Sequence, residues 1–488
     1  MLENERIEQI VQQVMSELRQ GERVRTGPAP EKLDAADPPP PSPIIKHGDN
    51  LFKDVDSAVA AARIAYEQLN ELPLSIREEM IHHIRRTMRE NAQVLAYEAW
   101  QETGMGRYED KIQKNLLNAN KAPGTEMLDP RAWTGDGGLT LVEYAPYGVI
   151  GAIIPSTNPT SSVICNTISM VAAGNAIVFN AHPGARNCSN HTIQLMNDAV
   201  VAAGGPRNLV SGIADPTIET AQQIMKHKGV NLLTVTGGAA VVREAMGSGK
   251  RSISAGPGNP PVVVDETADL EQAGRDIVLG GSFDNNIICT DEKSVFVVQS
   301  VADELKRAMI RNGAVEIDLA QFDQLKKSIF LDDPPAGHYA TMNKDFIGKN
   351  ANILLAEIGI EAGDEIRMVI VEVPADHPLI FSEQMMPIMP IVRMRNAHEA
   401  IELAKKSEHG FRHTAVMHSK HLDHLDRMAR VMDCSIFVKN GPSFSGLGHG
   451  GEGFCAFTIA SPTGEGITNP ISFSRIRRCT LKDSFRIV

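Results

Sequence analysis

Cys289 stands in the run FDNNIICTDEK, residues 283–293, between two apolar segments and flanked by small and polar side chains. A thiol attacks carbon when it is reachable and when glycine, asparagine or backbone N–H groups beside a helix start lower its pKa. From the residues alone two readings stay open, a nucleophile and a buried structural cysteine. The other five cysteines, Cys165, Cys188, Cys434, Cys455 and Cys479, read as packing residues. They form no CxxC pair and no run of ligand-like spacings, which argues against a disulfide framework or a zinc site. A reducing, intracellular compartment is expected.

A second candidate is Asn158, in IIPSTNPTSSVICNTI, where a strand runs into a proline-bounded turn and then a helix. Ligands bind at such turns in α/β sheets, and the Asn158 amide could donate to a developing oxyanion. Asn-Pro is also an ordinary turn dipeptide. At TVTGGAAVVREAMGSG a strand meets Gly237 and Gly238 and then a helix, so backbone N–H groups could face a phosphate or could simply serve packing. GSGK at Gly247 is not a phosphate loop, because its first glycine is missing and Arg251 replaces the magnesium-binding Ser or Thr. GLGHGG, residues 446–451, satisfies GxGxxG, but no helix follows it, and a close-approach loop is expected. Among 15 histidines, His413 in EHGFRHTAVMHS is a candidate base, without any HExxH pairing.

The elements that must carry these residues alternate between helical spacing and short β-branched runs. Val55 to Ala65 and Ile76 to Glu98 have helical spacing; VIGAIIP, NAIVFN, VNLLTVTGG, PPVVVD and KSVFVV follow as strands, separated by helices over 161–173, 190–203 and 217–226. After Asn286 a second cycle uses VFVVQ, IRMVIVEV, MPIVRM and SIFVKN. Such alternation predicts two doubly wound α/β domains with mostly parallel sheets.

The length of 488 residues fits two or three domains, and 48 basic against 60 acidic residues, a net charge of −12, argues against nucleic acid as a partner. The longest apolar stretch, Val163 to Phe179, is broken by Asn166 and Asn175, so no membrane span is expected. At the start of the chain Ile7, Ile10, Val11, Val14, Met15 and Leu18 form one helical stripe, and residues 21–46 are rich in proline and charge. A short amphipathic helix on a stiff tether must bury its stripe elsewhere, either on a docking partner or on its own body.

In order, these segments resemble the aldehyde dehydrogenase superfamily from about residue 47 onward, and within it the CoA-acylating enzymes of bacterial microcompartments. PSTNPT at 155, TGGAAVVREAMGSGKRSISAGPGNPPVVVD at 236, FDNNIICTDEKSVFVV at 283 and NGPSFSGLGHGGEGFCAFTIASPTGEGITNP at 440 carry the resemblance. It implies that Cys289 is the nucleophile and that Asn158, with the Cys289 backbone N–H, forms the oxyanion hole. It implies NAD contacts from Ile154, Pro155, Ser156, Asn180, His182, Pro183, Thr236, Gly237, Gly238, Val241 and Gly256, with Glu383 on the nicotinamide ribose. Many hydrolytic relatives carry Lys where this chain has Asn180.

The implied chemistry takes propionaldehyde or acetaldehyde through a Cys289 thioester to acyl-CoA. Hydrolytic relatives use a glutamate of an ELGGKSP-type motif to activate water; here the stretch is SAGPGNPP, with Ala255 at that position. Without that base, the CoA thiol should outcompete water. His413 is the implied aid in deprotonating CoA. The division implied is an encapsulation helix over 1–20, a linker over 21–46, a dinucleotide-binding domain over 47–138 and 148–256, and a catalytic domain over 257–440. Residues 139–147 and 441–488 would form a small β oligomerisation arm and the C-terminal segment. The partners implied are a shell or companion protein for the helix, inside a microcompartment, and further copies of the chain in a dimer or tetramer. A hydrolytic aldehyde dehydrogenase and a catalytically silent assembly protein are the alternatives.

Overall fold

The computed structural model describes residues 49–488; the helix and linker expected over 1–46 lie outside the described residues. The chain opens with β1 (Leu51–Phe52) and four helices, α1 (Val55–Asn70), α2 (Ser75–Glu90), α3 (Ala92–Thr103) and α4 (Tyr108–Lys121). The single helix expected over 76–98 is two. At Asn91 the backbone leaves helical geometry (φ −105°, ψ 6°), and its side-chain amide donates to the Thr87 carbonyl at 2.8 Å, a local bond that competes with helix propagation.

Two arm strands follow, β2 (Arg131–Gly135) and β3 (Gly138–Pro146), before the first α/β cycle. It comprises β4 (Val149–Ile153), α5 (Pro159–Ala172), β5 (Ala176–Asn180), α6 (Arg186–Ala202), β6 (Val210–Ile213), α7 (Ile218–Lys226), β7 (Leu232–Thr236), α8 (Ala239–Met246) and β8 (Ser252–Ala255). Its sheet is parallel, in the order β1-β6-β5-β4-β7-β8. β4 and β5 are buried along their whole length, as near-continuous apolar runs covered by helices must be. The chain builds outward from β4 through β5 to β6, then returns to place β7 on the other flank of β4. That reversal leaves a crevice at the carboxyl ends of β4 and β7.

The second cycle contains β9 (Pro261–Val264), α9 (Leu270–Gly281), β10 (Ser294–Val298), β11 (Ala314–Ile317), β12 (Met368–Glu372), β13 (Ile388–Met394), β14 (Thr414–His418) and β15 (Ile436–Lys439). Its parallel order is β11-β12-β13-β10-β9-β14-β15. PPVVVD, inside the catalytic division expected over 257–440, belongs to this sheet although it precedes the cycle read from Asn286 onward. It is β9, near the middle of the second sheet, because an apolar run names a strand without naming its neighbours. After the short pair β16 (Ile459–Ala460) and β17 (Gly466–Ile467), β18 (Ser474–Lys482) pairs antiparallel with β3, and β3 with β2. This three-stranded sheet leaves Trp133 and Ile476 exposed, together with Cys479, which is thus not a packing residue.

Candidate active site

Four neighbouring strands of the second sheet, β13, β10, β9 and β14, are each entered through a short connection, and those connections carry Glu383, Cys289, Gly258 and His413. They face the carboxyl ends of β4, β5 and β7, which carry Ile154, Asn180 and Thr236. Between the two sets lies a cleft of about 730 Å³, within the range of small-molecule and cofactor sites. Cys289, Asn158, Ile154, Pro155, Ser156, Asn180, His182, Pro183, Thr236, Gly237, Gly238, Val241, Gly256 and Glu383 all line it. His413 does not. It is wholly buried behind Gly258, where an added Cβ would stand 2.5 Å from the Cys289 carbonyl oxygen and 3.1 Å from His413 Cγ. Only a glycine fits between them.

The loop that presents Cys289 is bent by three successive left-handed residues, Asp284, Asn285 and Asn286, with φ of 46°, 57° and 67°. Asp and Asn are the non-glycine residues that tolerate this region best. Each is held in place. Asn285 donates to the Gly348 carbonyl at 2.8 Å and Asn350 Oδ1 at 2.6 Å, Asn286 donates to the Gly281 carbonyl at 2.7 Å, and Lys293 Nζ donates to the Asn286 carbonyl at 2.9 Å. The Cys289 side chain is half-buried. Removal from water, reinforced by the Glu383 carboxylate, pushes the thiol up to about 12, against the opposing charge of Lys293 and its own backbone N–H. The lowering that would activate a thiol is not supplied here, since apolar Ile287, Ile288, Leu447 and Phe457 share the cleft wall.

Asn158 is the buried residue preceding α5, and its side chain does not cap that helix. Instead its Oδ1 accepts from Lys114 Nζ at 2.6 Å, while Nδ2 donates to Thr157 Oγ1 at 3.2 Å. Lys114 Nζ is also 2.5 Å from Asp284 Oδ2, and Lys111 Nζ is 3.0 Å from the same oxygen. All three are buried. Desolvation, with Lys111 adding to it, brings the Lys114 ammonium down to about 8 against the pull of Asp284. Burial alone would raise the Asp284 carboxyl, but the two lysines and the Arg107 backbone N–H at 2.7 Å hold it below its ordinary value. Sequence reasoning missed this cluster. Its one local signal was the three-residue spacing of Lys111 and Lys114, which puts both on one helical face.

The far part of the cleft suits a dinucleotide. α8 begins at Gly238 without a side-chain cap, and a Cβ there would meet no heavy atom within 4 Å, so the N–H groups of the first turn are open to a diphosphate. Ile218 and Met225 of α7 and Val241 of α8 offer apolar walls for a flat ring. Asn180 reaches the cleft with its amide already committed, accepting from Thr220 Oγ1 at 2.7 Å and donating to the Thr217 carbonyl at 3.3 Å. His182 Nδ1 accepts the Gly184 N–H at 3.0 Å, and partial desolvation with nearby Lys344 shifts the ring below its ordinary value. Glu383 Oε1 accepts the Gly258 N–H at 3.2 Å.

Residues 26–454 match the model of the Aldehyde dehydrogenase family. The chain belongs to the aldehyde dehydrogenase family. It is 50% identical to the acetaldehyde dehydrogenase (acetylating) EutE of Salmonella typhimurium over 443 residues, 91% of this chain and 94% of that one. It is similar to Rhodopseudomonas palustris propionaldehyde dehydrogenase, solved with bound propionyl-CoA, at TM-score 0.87 and 45% identity, covering 89% of this chain and 96% of that one. It is equally similar to a propionaldehyde dehydrogenase from the Clostridium phytofermentans fucose utilisation bacterial microcompartment, at TM-score 0.87 and 44% identity, covering 90% and 100%. In this aldehyde dehydrogenase, position 255 is a buried alanine at the end of β8, whose carbonyl accepts the Gly237 N–H at 3.2 Å. No carboxylate occupies that place; the carboxylates whose charge reaches the thiol are Glu383 and, with the smaller effect, Asp291. Among the described residues no helix is long and apolar enough to cross a membrane, and no group of His, Cys, Asp or Glu could hold a metal ion.

Proposed function

We propose that this aldehyde dehydrogenase oxidises a short aliphatic aldehyde, acetaldehyde or propionaldehyde, with NAD and CoA to the acyl-CoA and NADH through a thioester on Cys289. One observation carries the reading. The Cys289 thiol and the Asn158 amide line the same cleft, while the position of the hydrolytic base is Ala255.

Burial favours the neutral thiol in the free protein, so its proton passes to solvent in the open cleft as the sulfur bonds to the aldehyde carbon and the C=O π pair moves onto the oxygen. The oxygen then carries charge, and two preorganised donors, the Asn158 amide and the Cys289 backbone N–H, stabilise it by about 3 kcal/mol each. Ile154 to Ser156, the turn at Thr236 to Gly238, and Glu383 at the nicotinamide ribose would hold NAD, which would supply the hydride acceptor. The acyl group left on Cys289 is a thioester. Transfer to the CoA sulfur exchanges one thioester for another of similar energy, whereas water at neutral pH, with no base at position 255, is a poor nucleophile. His413 is brought down to about 4 by burial and by Lys293, so it is a neutral imidazole at pH 7, and its buried Nε2 has no partner. Its proposed help in deprotonating CoA is therefore indirect, since the ring does not line the cleft and Gly258 fills the space between it and Cys289.

The first sheet and its helices serve as the dinucleotide-binding domain, residues 47–138 and 148–256, and residues 257–440 as the catalytic domain. The antiparallel arm of β2, β3 and β18, with Trp133 and Ile476 in solvent, is suited to a partner copy in a dimer or tetramer. The apolar stripe of residues 1–20 docks the enzyme on a shell or companion protein, which puts it in the lumen of a bacterial microcompartment; the Clostridium relative supports that location.

The test is NADH production from propionaldehyde and NAD with and without CoA. Strict CoA dependence is expected. Steady turnover without CoA would mean hydrolysis, and silence in both conditions a scaffold. Cys289→Ala should remove turnover, and appreciable activity in that variant would refute the assignment.

A further inference from the structure

Asn158 carries an oxygen and a nitrogen of nearly the same size on one rotatable amide, and only one orientation turns the oxygen to Lys114 and leaves Nδ2 as the donor on the other side. The surroundings decide between them. Lys114 Nζ stands 2.6 Å from Oδ1, so reversing the amide would set two donors against an ammonium and lose that bond. The bond also draws electron density toward Oδ1, which strengthens the N–H groups as donors. We propose that Lys114 is a positioning residue of the reaction: it fixes and polarises the Asn158 amide, and through Asp284 it locks that amide to the loop carrying Cys289.

The second half of the proposal rests on Asp284. Its Oδ2 receives both Lys114 at 2.5 Å and Lys111 at 3.0 Å, its Oδ1 receives the Arg107 backbone N–H at 2.7 Å, and its own N–H donates to Asp110 Oδ2 at 2.9 Å. Asp284 begins the left-handed bend that ends in Cys289, so one carboxylate joins α4, the nucleophile loop and, through Lys114, the oxyanion donor. Two buried lysines against one carboxylate leave a positive charge beside the amide. That surplus stabilises an oxyanion more than a neutral carbonyl, which is the requirement for lowering a barrier without tightening substrate binding.

This inference rests on the proposed role of Asn158, and the experiment separates the two. Lys114→Met, Asn158→Ala and the double variant are compared in the full chain. Two reactions of Cys289 are followed: acylation by p-nitrophenyl acetate, which passes through an oxyanion, and alkylation by iodoacetamide, which does not. In Lys114→Met, acylation and kcat for propionaldehyde are expected to fall about 100-fold, the size of losing one oxyanion donor, with alkylation and aldehyde KM within about threefold of the parent. The double variant should be no more than about threefold slower than Asn158→Ala, because both changes remove the same interaction. The proposal is overturned by an unchanged Lys114→Met, by acylation and alkylation falling together, or by losses that multiply in the double variant. If Asn158→Ala acylates like the parent, the oxyanion role of Asn158 fails and the inference falls with it. Should Lys114→Met not fold, Lys114→Gln carries the same comparison.

Discussion

The thiol of Cys289, held up to about 12 by burial and by Glu383, should be a slow nucleophile in the free enzyme. An ordinary cysteine near 8.5 is about 3% thiolate at pH 7, and a thiol near 12 is roughly 0.001% thiolate, a deficit of about 3,000-fold. A more basic thiolate is intrinsically more reactive, and a Brønsted slope of about 0.45 returns roughly 40-fold of that. Alkylation of Cys289 by iodoacetamide, mapped to its peptide by mass spectrometry, should therefore run about 100-fold slower at pH 7 than that of an unstructured cysteine peptide. The rate should rise tenfold per pH unit from 7 to 9 without levelling. Removing the larger of the two carboxylate charges that raise the thiol's pKa, by Glu383→Gln, should speed the reaction at every pH in that range. A rate that levels near pH 8, or one that matches the free peptide, would refute the argument from desolvation.

Gly106 has φ +77°, and a Cβ there would stand 1.9 Å from Asp284 Oδ1, so Gly106→Ala should lower stability in urea by about 2–4 kcal/mol and reduce activity with it. His413 is protonated only as pH falls through about 4, so the rate of acyl transfer to CoA should not lose this base between pH 8 and 5.5; His413→Ala should slow that transfer and leave the first NADH burst intact. A decline centred near 6.5 that vanishes in the variant would contradict this. The groups proposed to act in the reaction, Cys289, Asn158 and Glu383, lie outside residues 1–20, and deletion of those residues should leave kcat within about twofold in a solution assay.

The strands of both sheets were legible where burial on two faces writes an unbroken β-branched run, as in β4, β5, β7 and β10. β6, β8 and β14 were not, since LVSGI, SISA and TAVMH mix polar residues into short stretches that only their neighbours make into strands. Asn158 and the turn at Gly237 and Gly238 were legible because turns at strand ends carry Pro, Gly and Asn; the other cleft positions came from the family resemblance. The chemistry between distant positions was not. Nothing near Asp284 announces that two lysines more than a hundred residues away neutralise it, and nothing near Cys289 announces that its thiol is desolvated. His413 was legible as a histidine close to a strand; that it stands behind Gly258 depends on the order β10-β9-β14, which pattern alone does not give.

The central claim concerns what removes the acyl group from Cys289, and a single-turnover experiment addresses it directly. Enzyme mixed with propionaldehyde and NAD but no CoA should release about one NADH per site and stop, with the Cys289 peptide carrying a propionyl group by mass spectrometry. Adding CoA should clear that group and restore turnover. Continued NADH release with propionate accumulating and Cys289 unmodified would contradict the account.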